Sequence, residues 1–453
     1  MRVLQRAWRG LFVEQSVAGA IPWLVGSRIL GLVLAFVTSV LIARALGPYG
    51  KGITNAVMLV SLFVVAITNL GIGQGVFFYQ SRKEFAPSES FTALTAVGLL
   101  ATALCLLLGL GPLRALLRVV AGEVPWPYLA IGLLLGGLSL VGVFYSDLLR
   151  GLGLAHLASV VSVTAQFLVA IAVVVVLIAG GGLQGIVGTL VLSSLLMIGL
   201  SLLAFGRLDT FGLKLSPHML SKSFRFGRSL YLNGLVLLVH TRFNQMLVLA
   251  LLNPAALGQL GVAVALAEML WLIDLPLIGA AQYHVASRSQ EASIALVNQM
   301  TRLIAAAQLC ACTCLALIGS VLVVTAYGEA FRAAVLPLLL SLPGILFWSV
   351  GRSVSQYIGF QLARNDINLY IQLVSAALNV TASLVLIRRW GIGGAALAAS
   401  VSYGLAMLLF LAYYVRTTGV RLRDVLVVRV SDLRAVAVPQ WQRVMALFGA
   451  SGN

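Results

Sequence analysis

The sequence predicts an all-α polytopic membrane protein with about twelve transmembrane helices in two six-helix lobes. Three observations carry that prediction. Apolar runs of about 20 residues, the length that crosses a bilayer as a helix, fill nearly the whole chain. Charged side chains are scarce, and small residues recur at a near-constant offset.

Of the 453 residues, 60% are hydrophobic and only 9% are charged, against about 25% charged in a soluble domain. So few charges cannot coat a soluble protein of this size. Backbone groups in hydrocarbon must be satisfied within the chain, so runs of this length are helices. A membrane barrel would alternate with period two in segments of about 10 residues, a pattern the sequence lacks.

The expected spans lie near 20–45, 53–79, 91–111, 127–149, 155–179, 184–206, 229–252, 257–284, 299–326, 334–360, 366–388 and 393–416. They define a short N-terminus (1–19), an N-lobe (20–206), a basic linker (207–228), a C-lobe (229–416) and a basic tail (417–453). The tail, with Arg421, Arg423, Arg429, Arg434 and Arg443, reads as an amphipathic helix on the anionic inner leaflet, with an unstructured tail as the alternative. The first apolar run, preceded by Arg2, Arg6 and Arg9, is too long and unbroken for a cleavable signal.

Orientation follows from the flanks. The termini and the loops on their side carry 20 of the 30 Lys and Arg. The opposite flanks carry six: Lys51, Arg114, Arg118, Arg332, Arg388 and Arg389. The positive-inside rule therefore predicts an inner (cytoplasmic) membrane protein with both termini in the cytoplasm. The net charge of +17 is spread over these flanks rather than gathered in one patch, so nucleic acid is not an expected partner. Membrane lipids are.

The offset is 206 for Pro48 and Gly52 onto Pro254 and Gly258, and for Ser81-Arg82 onto Ser287-Arg288. It is 209 for Gly185 and Ser193 onto Gly394 and Ser402. Six spans per repeat give both halves the same orientation, the arrangement that lets two lobes rock about a central cavity.

Ionisable groups inside spans are costly and usually face protein or a water-filled cavity. Four arginines fall there: Arg28 and Arg44 in span 1, Arg242 in span 7 beside His240, Asn244 and Gln245, and Arg352 in span 10. They predict an electropositive cavity for an anionic headgroup, because the guanidinium fork donates bidentately to phosphate and stays charged when desolvated. Two bland alternatives stand beside this. Arg242 can pair with Glu268 or Asp274 as an interhelix clasp, and Arg44 can snorkel to the headgroups. Glu268 and Asp274 in span 8 are candidates for coupling to H⁺ or Na⁺; no other cofactor is expected. Pro276, Pro337 and Pro343-Gly344 allow bends in spans 8 and 10.

No catalytic or metal constellation stands out, and no phosphate loop of the GxxxxGK[ST] type occurs. Cys105, Cys310, Cys312 and Cys314 lie within apolar runs at spacings that suit neither zinc nor a disulfide. The longest loop opposite the termini is about 15 residues, 112–126, which leaves little room for an enzymatic domain.

Ala43-Arg44-Ala45-Leu46-Gly47-Pro48 followed by Gly52 resembles the end of the first helix in O-antigen-type polysaccharide flippases of the multidrug/oligosaccharidyl-lipid/polysaccharide (MOP) exporter superfamily. Ser27-Arg28-Ile29-Leu30-Gly31 is similar to the first helix of its lipid II flippase branch, where such an Arg faces the cavity. In Arg242-Phe243-Asn244-Gln245 an Asn stands where the flippases often have Asp. The C-terminal half adds Tyr327-Gly328-Glu329, Phe331, Pro337, Leu342-Pro343-Gly344, Asn379, Gly391-Ile392-Gly393-Gly394-Ala395-Ala396 and Ser402-Tyr403, in the order and spacing of that family's last four helices.

The resemblance, over about residues 20–416, implies a MATE-like, V-shaped pair of lobes that alternates access. It also implies a cargo: an oligosaccharide on polyprenyl pyrophosphate, turned from the inner to the outer leaflet, with other glycan-assembly proteins as partners. A lipid II flippase usually has fourteen spans. A multidrug efflux pump commonly has an Asp in the first helix, whereas spans 1 to 3 here contain no acid.

Overall fold

The computed structural model describes residues 17–208, 210–212, 214–429 and 432. Arg2, Arg6 and Arg9 and the tail after Asp432, with Arg434 and Arg443, lie outside the described residues. Among the described residues there is no strand.

The helices are α1 (Val17–Thr68), α2 (Ile72–Ser81), α3 (Pro87–Leu110), α4 (Pro112–Val120), α5 (Trp126–Gly151), α6 (Ala155–Ile178) and α7 (Gly182–Arg207). They continue as α8 (Pro217–Leu251), α9 (Pro254–Glu268), α10 (Asp274–Ser287), α11 (Gln290–Leu322), α12 (Val335–Gln356), α13 (Asn365–Thr418) and α14 (Leu422–Leu426). Ten helical segments of the described chain are long and apolar enough to cross a membrane. Two of them hold two crossings each. α1 and α13 are 52 and 54 residues long, about 80 Å at 1.5 Å per residue, against ~30 Å of hydrocarbon. Each is broken at one glycine with positive φ, Gly47 at 63° and Gly391 at 57°, a conformation that costs glycine little. Divided there, the ten segments give the twelve spans the sequence predicts.

Helix ends follow local chemistry. Pro87, Pro112 and Pro217 sit in the first turn of α3, α4 and α8, where a missing N–H costs nothing. Ser216 caps α8 by accepting from the Met219 N–H at 3.3 Å. That Ser-Pro start makes much of the expected linker 207–228 helical from Pro217 onward, which hydropathy alone does not reveal. Span 8 differs too. It is interrupted between α9 and α10 by a 3₁₀ turn, Met269–Leu272.

The chain forms two compact units interleaved in sequence. The first holds the described residues up to Val262 with Leu322–Ala334 and Leu384–Ala395; the second holds Ala263–Val321, Val335–Ser383 and the described residues from Ala396. In the first, α1 packs on α5 and α6, α3 on α5, and α2 on α8, over a core around Leu94, Phe144, Tyr145, Leu148 and Phe205. In the second, the core gathers Val297, Ile304, Val354, Tyr357 and Tyr414. Leu100, Ile178 and Leu317 are 71%, 82% and 76% exposed, which is the surface a lipid solvent requires.

Within the first unit the residues matched at offset 206 touch one another. A Cβ on Gly52 would collide with the Pro254 carbonyl, and one on Gly258 with the Pro48 carbonyl. The turn after span 1 therefore lies against the turn after span 7, backbone on backbone. At the other end of the same helices, Gly71 and Gly227 exclude a Cβ from each other in the same reciprocal way.

Within the second unit the chain after α13 is bound to α11. Arg302 donates through Nε to Asp432 Oδ2 at 2.6 Å and through Nη2 to Oδ1 at 2.7 Å, and both side chains are buried. It also donates to the Asp424 carbonyl. In the described part of the expected amphipathic tail, residues 417–429 hold the short helix α14 and Asp432 is docked on α11, because a buried guanidinium needs a carboxylate.

Two outcomes follow from this packing. Gly52→Val and Gly258→Val each place a side chain inside a backbone contact, and are expected to abolish the monodisperse peak in detergent size-exclusion, whereas Gly26→Val, with open space around it, leaves the peak intact. The hydrogen bonds from Arg302 hold the Asp432 carboxyl below the usual carboxylate range. A depressed native pKa stabilises above the unfolded value of about 3.9 and is lost as pH falls through the lower native value. Limited proteolysis should find the segment docked at neutral pH and released only in strong acid, while Asp432→Ala, which strands a buried charge at roughly 3–5 kcal/mol, should release it at pH 7.

Candidate anion site and its ionic groups

The eight candidate residues divide between the units. Arg28, Arg44, Arg242, Asn244 and Gln245 belong to the first; Glu268, Asp274 and Arg352 belong to the second.

In the first unit, Arg28 lies eleven residues past Val17 in α1, about 16 Å along the axis, and its side chain is exposed. Arg242 is half-buried in α8, next to the buried Asn244 and Gln245. Asn244 donates through Nδ2 to the Ala395 carbonyl at 3.5 Å, just past the Gly391 break. Its Oδ1 is buried without a hydrogen bond. Arg44 donates through Nε to the Ala326 carbonyl at 2.7 Å and through Nη2 to the Thr325 carbonyl. These carbonyls close the π turn Val323–Tyr327, so Arg44 caps a helix end whose dipole favours a cation. Phe36 meets Tyr327 edge-on at 6.1 Å beside it.

In the second unit, Arg352 of α12 holds Asp274 at the start of α10. One guanidinium nitrogen, Nη2, donates to Oδ1 at 3.0 Å and to Oδ2 at 2.9 Å. Asp274 is fully buried and Arg352 is 25% exposed. The Trp271 ring, in the 3₁₀ turn, lies 6.0 Å from the guanidinium carbon, within cation–π range. Gln308 donates through Nε2 to the Leu270 carbonyl at 2.9 Å, which steadies that turn. Gln356 donates to the Arg352 carbonyl at 3.1 Å and accepts from Gln282 at 3.2 Å. Glu268 is the last residue of α9 and is half-buried. Asp274, one of the two acids weighed as a clasp for Arg242, is therefore paired with Arg352.

Three ionic features escaped the sequence. Arg302 reads in the sequence as a flank charge, and its acid lies 130 residues away, beyond any helix-spacing signal. Lys51, also counted as a flank, is 8% exposed. Lys222 pairs with Glu84 at 2.5 Å and sits 4.6 Å from the Tyr79 ring; a basic residue followed by nothing acidic within a turn gave no hint of it. Of the cysteines, Cys105 and Cys312 are buried and Cys310 and Cys314 exposed, all as free thiols.

The profile of the polysaccharide biosynthesis protein family matches residues 17–290, more than half of the chain. No curated protein sequence matches it. Among solved structures, the fold is similar to that of the lipid II flippase MurJ in an inward closed conformation, with a TM-score of 0.71 at 13% identity, covering 89% of this chain and 88% of that one. An inward-facing multidrug resistance MATE family transporter of the MOP superfamily gives 0.64 at 13% identity, covering 85% and 94%. A Vibrio cholerae MATE transporter gives 0.61 at 15%, covering 89% and 96%. These solved neighbours are a flippase and transporters. The chain belongs to the polysaccharide biosynthesis protein family and has the all-helical fold of the MOP flippases and transporters.

Proposed function

We propose that the chain turns a polyprenyl-pyrophosphate-linked oligosaccharide from the inner to the outer leaflet of the cytoplasmic membrane by alternating access, with both termini in the cytoplasm. Arg28, Arg242 and Arg352, with Asn244 and Gln245, bind the anionic headgroup. The observation that carries this reading is the sign of the charge retained inside the spans. A membrane protein keeps such costly cations where they meet an anion, and pyrophosphate suits the guanidinium fork. Membership of the polysaccharide biosynthesis protein family supports a sugar-bearing cargo.

Two lobes, 20–206 and 229–416, rock about the site. The reciprocal glycine contacts support this motion: Gly52 with Gly258 at one end and Gly71 with Gly227 at the other are backbone-on-backbone junctions between spans 1–2 and spans 7–8, the second flanked by the Phe78–Phe226 stack and the Lys222–Glu84 pair. Alternating access requires these two contacts to part in turn.

The likeness to a lipid II flippase favours a second reading, in which the cargo is another polyprenyl-linked sugar. The lipid-linked intermediate that accumulates on the inner leaflet when the chain is deleted distinguishes the two. Arg28→Ala and Arg242→Ala are expected to lower surface glycan at least tenfold with the protein still inserted; normal glycan in both would overturn the headgroup assignment. Glu268→Gln should remove the dependence of flipping on a proton or Na⁺ gradient in vesicles, and an unchanged gradient response would exclude Glu268 from coupling.

A further inference from the structure

The helix α4 is too short to cross the membrane and meets three different surroundings. Its nine residues, Pro112–Val120, measure about 14 Å against ~30 Å of hydrocarbon. It follows span 3 after a break at Gly111, whose φ and ψ of −129° and −106° are not helical. Three crossings after the start of α1, it stands on the opposite side of the membrane, within the stretch 112–126 expected from the sequence to be a loop.

Residues three or four apart share a helix face, and α4 sorts into three sectors on that basis. Leu113 and Leu117 pack on the core of Val64, Cys105 and Leu133. Leu116 and Val119 form a second sector and are 58% and 80% exposed, as are Pro112 and Ala115 beside them in the helix. Arg114 and Arg118 form the third, and the helix contains no acid. The packing of α4 against α8 leaves Leu116, Val119 and Arg118 exposed.

The depth of the helix follows from its neighbours. It comes directly after the end of α3, where Leu107 and Leu110 are 65% and 75% exposed. Arg114, half-buried, holds its guanidinium carbon 4.9 Å from the Trp126 ring, within cation–π range. Trp126 opens span 4, and tryptophan at the end of a span marks the level of the lipid headgroups. Apolar residues on one sector and arginines on another, at that level, suit a helix lying in the interface.

We propose that α4 is a membrane-surface helix: Leu116 and Val119 enter the hydrocarbon, Arg118 takes the phosphate of an anionic phospholipid in the leaflet opposite the start of α1, and Arg114 is held at that depth by Trp126. The helix thereby seats the ends of spans 3 and 4 in the lipid surface. A phospholipid phosphate suits the exposed arginine, whose fork donates bidentately, and basic residues near an anionic leaflet add to the attraction. This lipid contact is independent of what the protein transports.

The test places a nitroxide on the purified full chain in nanodiscs, in a Cys310→Ser, Cys314→Ser background that removes the exposed native thiols. A label at Leu116→Cys or Val119→Cys is expected to favour collision with oxygen over a water-soluble nickel chelate by about fivefold, as a site in hydrocarbon does. A label at Arg118→Cys should show the opposite preference. Free collision with the nickel chelate at 116 and 119 would put that sector in water and overturn the proposal. Shielding from both reagents would put protein over it, a second copy of the chain included, and overturn the proposal equally.

The headgroup contact is read separately. Replacing about 30% of the phosphatidylcholine by phosphatidylglycerol is expected to slow the label at Val119→Cys roughly twofold. Arg118→Gln should abolish that response and Arg118→Lys should retain it. A response of the same size in Arg118→Gln, or none with Arg118 in place, would overturn the assignment of Arg118 to lipid phosphate. Residues 116, 118 and 119 are all exposed, so these substitutions leave the packed sector of α4 untouched.

Discussion

The contact on which the first unit depends is backbone against backbone, where Gly52 meets Pro254 and Gly258 meets Pro48. In hydrocarbon there is no hydrophobic drive to bring helices together, so van der Waals packing and close approach must do it, and small residues allow that. Glycine at both positions brings the turn after span 1 and the turn after span 7 to main-chain distance. From this junction α1 and α8 run on to a second contact of the same kind, at Gly71 and Gly227.

The few charges are organised by the same scarcity of solvent. Arg44 reaches two carbonyls at the end of a π turn, Arg302 reaches a carboxylate and a carbonyl, and Arg352 reaches one carboxylate. Breaking such pairs in a low-dielectric setting is costly because the partner is left uncompensated. The three arginines differ in what they leave over. Arg302 is fully engaged through Nε, Nη1 and Nη2, while Arg352 keeps a donor without a partner.

Much of this was legible in the sequence, and the physical reason is the bilayer. A span must be apolar over about 20 residues, so composition alone locates the twelve crossings, including the divisions near Gly47 and Gly391. The offset of 206 picked out Pro48, Gly52, Pro254 and Gly258 as equivalent, yet equivalence by repeat does not say that the equivalent residues touch. The ion pairs were beyond reach for a related reason. The sequence offers Arg242 in span 7 as a partner for Asp274, whereas the structure pairs it with Arg352, 78 residues away. Pro276 is the one mark, in the run 257–284, of the interruption of span 8 at Met269–Leu272, since its missing N–H leaves the Leu272 carbonyl without a helical donor, whereas Met, Leu and Trp are as apolar as the helix on either side. The Ser-Pro start of α8 was readable by capping rules and was masked by the basic composition of 207–228.

The buried pair between Arg302 and Asp432 also sets an order of events during synthesis. The two residues are 130 positions apart, and at about 5–20 residues per second the ribosome needs roughly 7–26 s to supply the carboxylate after the arginine. Throughout that interval Arg302 lacks this carboxylate, and basic residues beside a span bias the orientation in which it inserts. Only afterwards does it become an internal counter-ion. The fastening of the segment at Asp432 is therefore a late event, which waits on chain made long after the helix that holds it.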